Sequence, residues 1–322
     1  MNPVELPTAT DPGQGGVLTP PLTDARPLAL RPPVGTPTDT APVTPAPPKV
    51  GRPWLLHGFV VVVLLLELLP LYMLFQTSLR DDPGYHMHPW LPPLPGRWHL
   101  AENFSYAWGH LWVIRNTLNV ALLTTLLTLG AGLPAAYGLA RHRGHPAARW
   151  LWAGYVGALL LPTVVGVVPL VGLMRGLGLG GSLLALVLLG AAGGQAVAVG
   201  ALREAVGAIP ESVWQAAELD CIKPWQRLRH VVLPACGPTL GVLAVLTFVG
   251  SWNEFVLPGL LLSGSGHETL GAMLPGLAAG GGAGGPSWGQ LSMFYLLAAL
   301  PVMCLGVWTL PVFVRALTRP AR

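Results

Sequence analysis

The chain has 322 residues, of which 52% are hydrophobic and only 10% charged, with a net charge of +4. An average soluble domain carries roughly a quarter charged residues, so this balance excludes an ordinary water-soluble globule and selects an integral membrane protein. The small positive excess comes from a one-sided placement of Arg and Lys along the chain, and it implies nothing about nucleic acid.

Residues 1–50 are rich in Pro, Thr, Ala and Gly and have no hydrophobic period. Such a segment buries too little surface to offset its ordering entropy, so a disordered cytoplasmic tail is expected. No apolar core lies near the start, and a signal peptide is not expected. The Pro-Pro pairs leave partner binding open beside the plainer reading of an extension.

Six apolar stretches follow, near residues 54–79, 112–140, 151–174, 182–202, 236–262 and 289–314. Each reaches the ~20 residues that a helix needs to cross ~30 Å of hydrocarbon. Alternating strand patterns are missing, so the expected fold is an all-α integral membrane bundle of six transmembrane helices, forming one domain over residues 51–322. Basic residues set its orientation. Arg26, Arg31, Lys49, Arg52, Arg141, Arg143, Arg149, Arg203, Lys223, Arg227, Arg229, Arg315, Arg319 and Arg322 fall on one side, fourteen of eighteen. Both termini and the loop at 203–235 are therefore expected in the cytoplasm.

Within the first span, Glu67 is an intramembrane carboxylate, which normally faces a bundle or a cavity; a structural role against a partner chain is the favoured reading. The loop from Arg80 to Leu111 is expected outside. Its Trp90, Trp98, Phe104, Tyr106 and Trp108, with Trp112 beside them, suit either the membrane interface or contact with an external protein. His86, His88 and His99 share this loop and read better as solvated histidines than as a metal site. In the third span Pro162 and Pro169 are candidate kinks. The turn Arg175–Gly181 carries the glycines of a short reversal. A Gly-rich run, 280–285, lies in the outside loop 263–288 and reads as filler or a hinge. Of three cysteines, Cys221 and Cys236 fall on the reducing side and Cys304 inside a span, so no disulfide is implied.

The polar stretch from Ile209 to Asp220 is the most informative segment. Pro210 presets the backbone angle where a helix begins, and Glu211 suits the first-turn dipole. Val213, Ala216, Ala217 and Asp220 follow at i, i+3, i+4 and i+7, predicting one shared face whose two alanines permit close approach by another protein. Pro224 is placed to open a second short helix. Trp225, Leu228 and Val232 would then face bundle or bilayer, with Arg227 and Arg229 turned to solvent or headgroups. Leu233-Pro234 would end the unit. By periodicity alone, an interfacial amphipathic helix and a docking helix are equally good readings.

This segment closely resembles the "EAA" loop of the inner-membrane permease subunits of binding-protein-dependent ABC importers, and the resemblance extends over roughly residues 54–322. Asn116-Thr117 and Pro134–Arg141 are similar to the family's "NS/NT…AAYALAR" run. Phe248–Phe255 is similar to the version in carbohydrate importers of the maltose type. The resemblance implies a type I (MetI-like) transmembrane domain, with the first helix as a peripheral arm and the other five lining half of a translocation path. It also implies that Glu211, Val213, Gln215, Ala216, Ala217, Asp220, Cys221, Leu233 and Pro234 form a coupling helix and its flank. That helix would dock in a cleft of an ATPase subunit. Two positions depart from the family pattern: Gln215 replaces its leading Glu, and Cys221 replaces the Gly after Asp. That Gly would end the helix in a left-handed conformation, so Cys221 must either bear the strain or alter the helix end.

The implied partners are a second permease, two ATPase subunits and an extracytoplasmic solute-binding protein. No cofactor is expected in this chain, with ATP and Mg on the ATPase. Its only lysines, Lys49 and Lys223, precede Val50 and Pro224, so a phosphate-binding loop ending in Lys-Ser or Lys-Thr cannot be built. No HExxH pattern or Ser/His/Asp arrangement argues for an enzyme. Trp252, Asn253 and Glu254 are candidates for a sugar pathway, and equally for holding the fifth span in place. Alternatives in the same architecture are importers of polyamine, phosphate or iron. A secondary transporter would need ionisable relays that these spans lack.

Overall fold

The computed structural model describes residues 53–81, 98–160, 163–273 and 285–318, with isolated positions between 85 and 96. The expected tail at 1–50, Asp82, His86, His88, Pro162 and residues 280–284 of the Gly-rich run lie outside them. The chain divides into units 1–57 and 58–322, and of the first only the start of a helix is described. Among the described residues all regular structure is helical.

Helix α1 (Pro53–Thr77) opens with proline at its first position and is apolar all round. None of its spanning window is buried, and Glu67 sits exposed along it. After α2 (Leu100–Gly109), α3 (Leu111–Arg141) runs for 31 residues. Helices α4 (Pro146–Leu160) and α5 (Thr163–Gly176) stand where a single third span was expected. They meet at a bend of 111°, far sharper than a kinked rod. Pro169 lies inside α5 without breaking it. Next, Gly178 and Gly181 take φ of +73° and +77°, as the glycine-rich turn predicts. Ser182 then caps α6 (Leu183–Gly207), its hydroxyl accepting from the Leu184 amide at 3.1 Å.

Helix α7 (Glu211–Leu219) is short, and α8 (Pro224–Ala235) contains a π-helical turn at Leu228–Val232. The chain bends by 77° into α9 (Gly237–Trp252). Pro238 has no amide hydrogen to continue the helix and fits the first turn of the next. Leu233-Pro234 therefore lies inside α8, and the unit ends at Cys236, two residues later than expected. Helix α10 (Val256–Leu261) and α11 (Trp288–Thr318) follow. Among the described residues four helices are long and apolar enough to cross a membrane, six if each bent pair counts as one span.

The core is built on α3 against α6, its most extensive helix contact. Small residues permit it: a Cβ at Gly190 or Gly194 would stand 3.0 Å or 3.1 Å from the Thr124 or Thr128 methyl. The Thr128 hydroxyl bonds within its own helix, Oγ1 donating to the Thr124 carbonyl at 2.7 Å, while Thr124 Oγ1 is buried against Gly190. α9 packs on the same helix, and α2 packs on α11.

Two ends of this bundle are tied differently. At the Leu111 end of α3, Asn116 Nδ2 donates to the Glu268 carbonyl at 3.1 Å, and Thr117 Oγ1 accepts from the Leu270 amide at 2.9 Å. Nearby, buried Asn103 on α2 donates to the carbonyls of Ser78 (2.8 Å) and Arg80 (2.9 Å), holding the chain that leaves α1. The Arg141 end carries the candidate site.

Candidate functional site

Helix α6 ends at Gly207, and Pro210, in extended conformation with ψ 141°, turns the chain so that α7 begins at Glu211. Only two side chains of α7 are buried, Trp214 (2% exposed) and Ala217 (4%). Trp214 joins a core cluster with Leu139 of α3, Leu202 and Val206 of α6, and Leu228 and Val232 of α8. Trp214 is the largest apolar side chain of the helix, and its burial fixes the helix's rotation.

This rotation corrects the predicted face. Ala216 and Ala217 separate: Ala217 faces the bundle and Ala216 is exposed. Val213 sits at the edge, lining a groove with Ala205, Ile209 and Pro210. Asp220 is the exposed residue that follows the last turn. The outward face is made by Ser212, Gln215, Ala216 and Leu219, all exposed, Leu219 by 84%. These four also stand at i, i+3, i+4 and i+7, one register from the predicted set.

The flank between the two faces carries charge. Glu211 and Glu218, seven residues apart and so one above the other, both meet Arg141, the last residue of α3. Arg141 Nη1 lies 3.6 Å from Glu211 Oε2 and Nη2 lies 3.4 Å from Glu218 Oε1. Its guanidinium also covers the Trp214 ring at 4.6 Å, and that ring stacks on Tyr137 of α3 at 5.9 Å. Arg227 of α8 reaches Glu218 at 3.6 Å and donates through Nε to the Ile222 carbonyl at 2.9 Å. Arg227 is thus drawn inward to α7 rather than turned to solvent. Arg143, Arg203 and Glu204 add a second pairing group at the neighbouring end of α6.

In the sequence Arg141 stands only as a positive charge and as part of the 134–141 run. Two acids seven apart on one helix were the available signal, since they need a basic partner from another element.

The helix stops as a glycine-terminated helix would. The Cys221 amide donates to the Glu218 carbonyl at 3.0 Å and the Ile222 amide to the Ala217 carbonyl at 3.4 Å, the paired bonds of a Schellman end. Cys221 takes φ +51°, which costs a residue with a Cβ roughly 1–2 kcal/mol. The strain is borne and the helix end is kept. Cys221 is an exposed free thiol, and Cys236 a buried one.

At the other end of the bundle, Trp252 is buried and stacks on Phe248 at 5.7 Å, within a cluster that includes Val113, Met293 and Phe294. The fifth span expected at 236–262 halts here. Asn253 Nδ2 donates to the Val249 carbonyl at 2.9 Å, and Glu254 Oε1 accepts from the Val256 and Leu257 amides at 3.0 and 3.3 Å, starting α10. Gly271 lies against the Glu254 carbonyl, where a Cβ would collide with backbone. The aromatic platform is enclosed by packing, and the two polar groups serve the backbone around the break. In the loop before α2, His99 Nδ1 is 3.1 Å from Glu102 Oε2. Among the described residues no group of three metal-ligating side chains gathers.

The helices, long and apolar enough to cross a membrane, and the short α7 at one end of their bundle are those of a helical multi-pass membrane protein. Residues 129–317 match the family described as binding-protein-dependent transport system inner membrane component, and the chain belongs to that family. It is 26% identical over 279 residues to the sn-glycerol-3-phosphate transport system permease protein UgpE of Shigella flexneri, covering 83% of this chain and 97% of that protein. UgpE of Salmonella typhi is likewise 26% identical, over 270 residues, covering 81% and 94%. Its fold is similar to a chain of a bacterial ABC transporter involved in the import of the acidic polysaccharide alginate (TM-score 0.68, 19% identity, 84% of this chain and 99% of that one). A chain of the inward-facing MetNI methionine ABC transporter is more distant (TM-score 0.50, 21% identity, 66% and 97%).

Proposed function

We propose that this chain is one of two different permease subunits of an ATP-driven importer that moves a sugar or sugar derivative across the cytoplasmic membrane by alternating access. The observation that carries the reading is the divided α7 helix: one face locked to the bundle by Trp214 and Ala217, the other offered outward at Ser212, Gln215, Ala216 and Leu219. A helix that only lay at an interface would have no need of a clamp to the end of the central span.

In this reading both termini and loop 203–235 are cytoplasmic, as the distribution of basic residues supports. Two ATPase subunits each receive one such helix, one from this chain and one from the second permease. A solute-binding protein delivers substrate on the opposite side. Closure of the ATPases moves α7; Arg141 passes that movement to α3, and α3 carries α6 and α9 with it. Glu211, Asp220 and Cys221 border the docking face, and Leu233 and Pro234 belong to the α8 flank that follows it. ATP hydrolysis belongs to the separate subunits. The sugar reading is supported by relatives named for a phosphorylated polyol and a structural neighbour named for an acidic polysaccharide. The local bonding of Asn253 and Glu254 supports their role in holding the fifth span.

The test is uptake by vesicles holding the full assembly. Transport is expected to require ATP and the binding protein and to be indifferent to collapse of proton and sodium gradients. Gradient-driven uptake without ATP would contradict the proposal.

A further inference from the structure

Besides the docking face, the bundle bears a groove of about 690 Å³ between α3, α8 and α9. Its walls are apolar, chiefly Leu126, Leu129, Leu133 and Leu240, and one cation stands among its lining residues, Arg229. Arg141, Arg143, Arg203 and Arg227 at this end of the bundle are each engaged by a glutamate, whereas Arg229 is exposed and has no acidic partner among the described residues. Trp225, 69% exposed, lines the groove too. An exposed indole with a cation beside it is the combination that sits at the headgroup level of a bilayer.

The groove has a direction. From Pro134 to Leu126 it follows α3 for eight residues, about 12 Å at 1.5 Å per residue, toward the middle of a helix that crosses the membrane. Gly130 and Gly241 line it as well, and a Cβ at either would meet nothing within 4 Å. The space is therefore open rather than closed by the chain's own packing.

We infer that this groove binds an anionic phospholipid of the cytoplasmic leaflet, the phosphate on Arg229 and one acyl chain along Leu126, Leu129, Leu133 and Leu240. Charge complementarity selects the occupant: one unpaired cation at the mouth of an apolar slot fits an amphiphile with a negative head and a hydrocarbon tail. A wholly apolar partner helix would leave Arg229 desolvated and unpaired. The leaflet assignment rests on the orientation proposed above; binding itself does not.

The test uses the purified full assembly in mixed micelles of phosphatidylglycerol and phosphatidylethanolamine, with retained lipid read by native mass spectrometry. The wild type is expected to retain phosphatidylglycerol in preference to phosphatidylethanolamine. Arg229→Gln should weaken that preference about fivefold, the equivalent of one basic group at an anionic surface. Gly241→Leu, which fills the groove from a position with free space, should abolish retention while the assembly stays intact. Wild-type protein without bound phosphatidylglycerol, or retention unchanged by both substitutions, overturns the inference. So does an assembly that carries no lipid and dissociates on Gly241→Leu, since the occupant is then a protein chain. Micelles have no sidedness and the assay needs no ATP, so failure here is separate from failure of the importer reading.

Discussion

The two ends of α3 are fastened by different chemistry. At the Leu111 end, neutral side chains buried away from water hold backbone groups, as Asn103 and Thr117 do. At the Arg141 end, half-exposed charges hold one another, with Glu218 shared between Arg141 and Arg227. A buried neutral bond is costly to break and insensitive to salt. Exposed ion pairs contribute little stability, typically under about 1 kcal/mol each, and rearrange readily. One end is built to stay; the other fixes a direction while permitting movement.

The largest expected effect tests the fixed end. Asn103→Leu strands the Ser78 and Arg80 carbonyls and should destabilise the protein by about 2–4 kcal/mol, equally in low and high salt. Thermal unfolding in detergent followed by tryptophan fluorescence reads it; a near-neutral result would mean that this end is not held as described. Arg141→Ala sharpens the contrast. Its stability loss should be about 1 kcal/mol or less, while ATP-driven uptake falls far more than ATPase activity does. Uptake and hydrolysis falling in proportion would remove Arg141 from the path between α7 and α3. Smallest is Cys221→Gly, which relieves the left-handed backbone and should stabilise by about 1 kcal/mol with uptake preserved. A destabilised glycine variant would show that the thiol makes a contact outweighing the strain.

Much of this is legible in the sequence. Apolar runs marked the membrane helices, and Pro210, Glu211 and the paired alanines located α7. Its rotation was hidden, because 3.6-residue periodicity admits two registers and the choice depends on where Trp214 finds a pocket among α3, α6 and α8. The halt at Trp252 was equally hidden. A hydropathy window runs smoothly over 236–262, while the break packs against Gly271, nineteen residues beyond Trp252. Asn253 and Glu254 were visible as polar, but whether they meet solute or backbone is a question of tertiary contact. The Arg141 clamp needed both facts at once: the register of α7 and the end of α3.

The claim on which the rest depends is that α7 meets the ATPase through its outer face. Single cysteines placed at positions 212 to 220 of the assembled transporter, in a background lacking Cys221, Cys236 and Cys304, would be crosslinked to the ATPase subunits one at a time. Reaction is expected at 212, 215, 216 and 219 and not at 214 or 217. Crosslinks at 214 and 217 with silence at 216 and 219, or none to a nucleotide-hydrolysing subunit at any position, would contradict it.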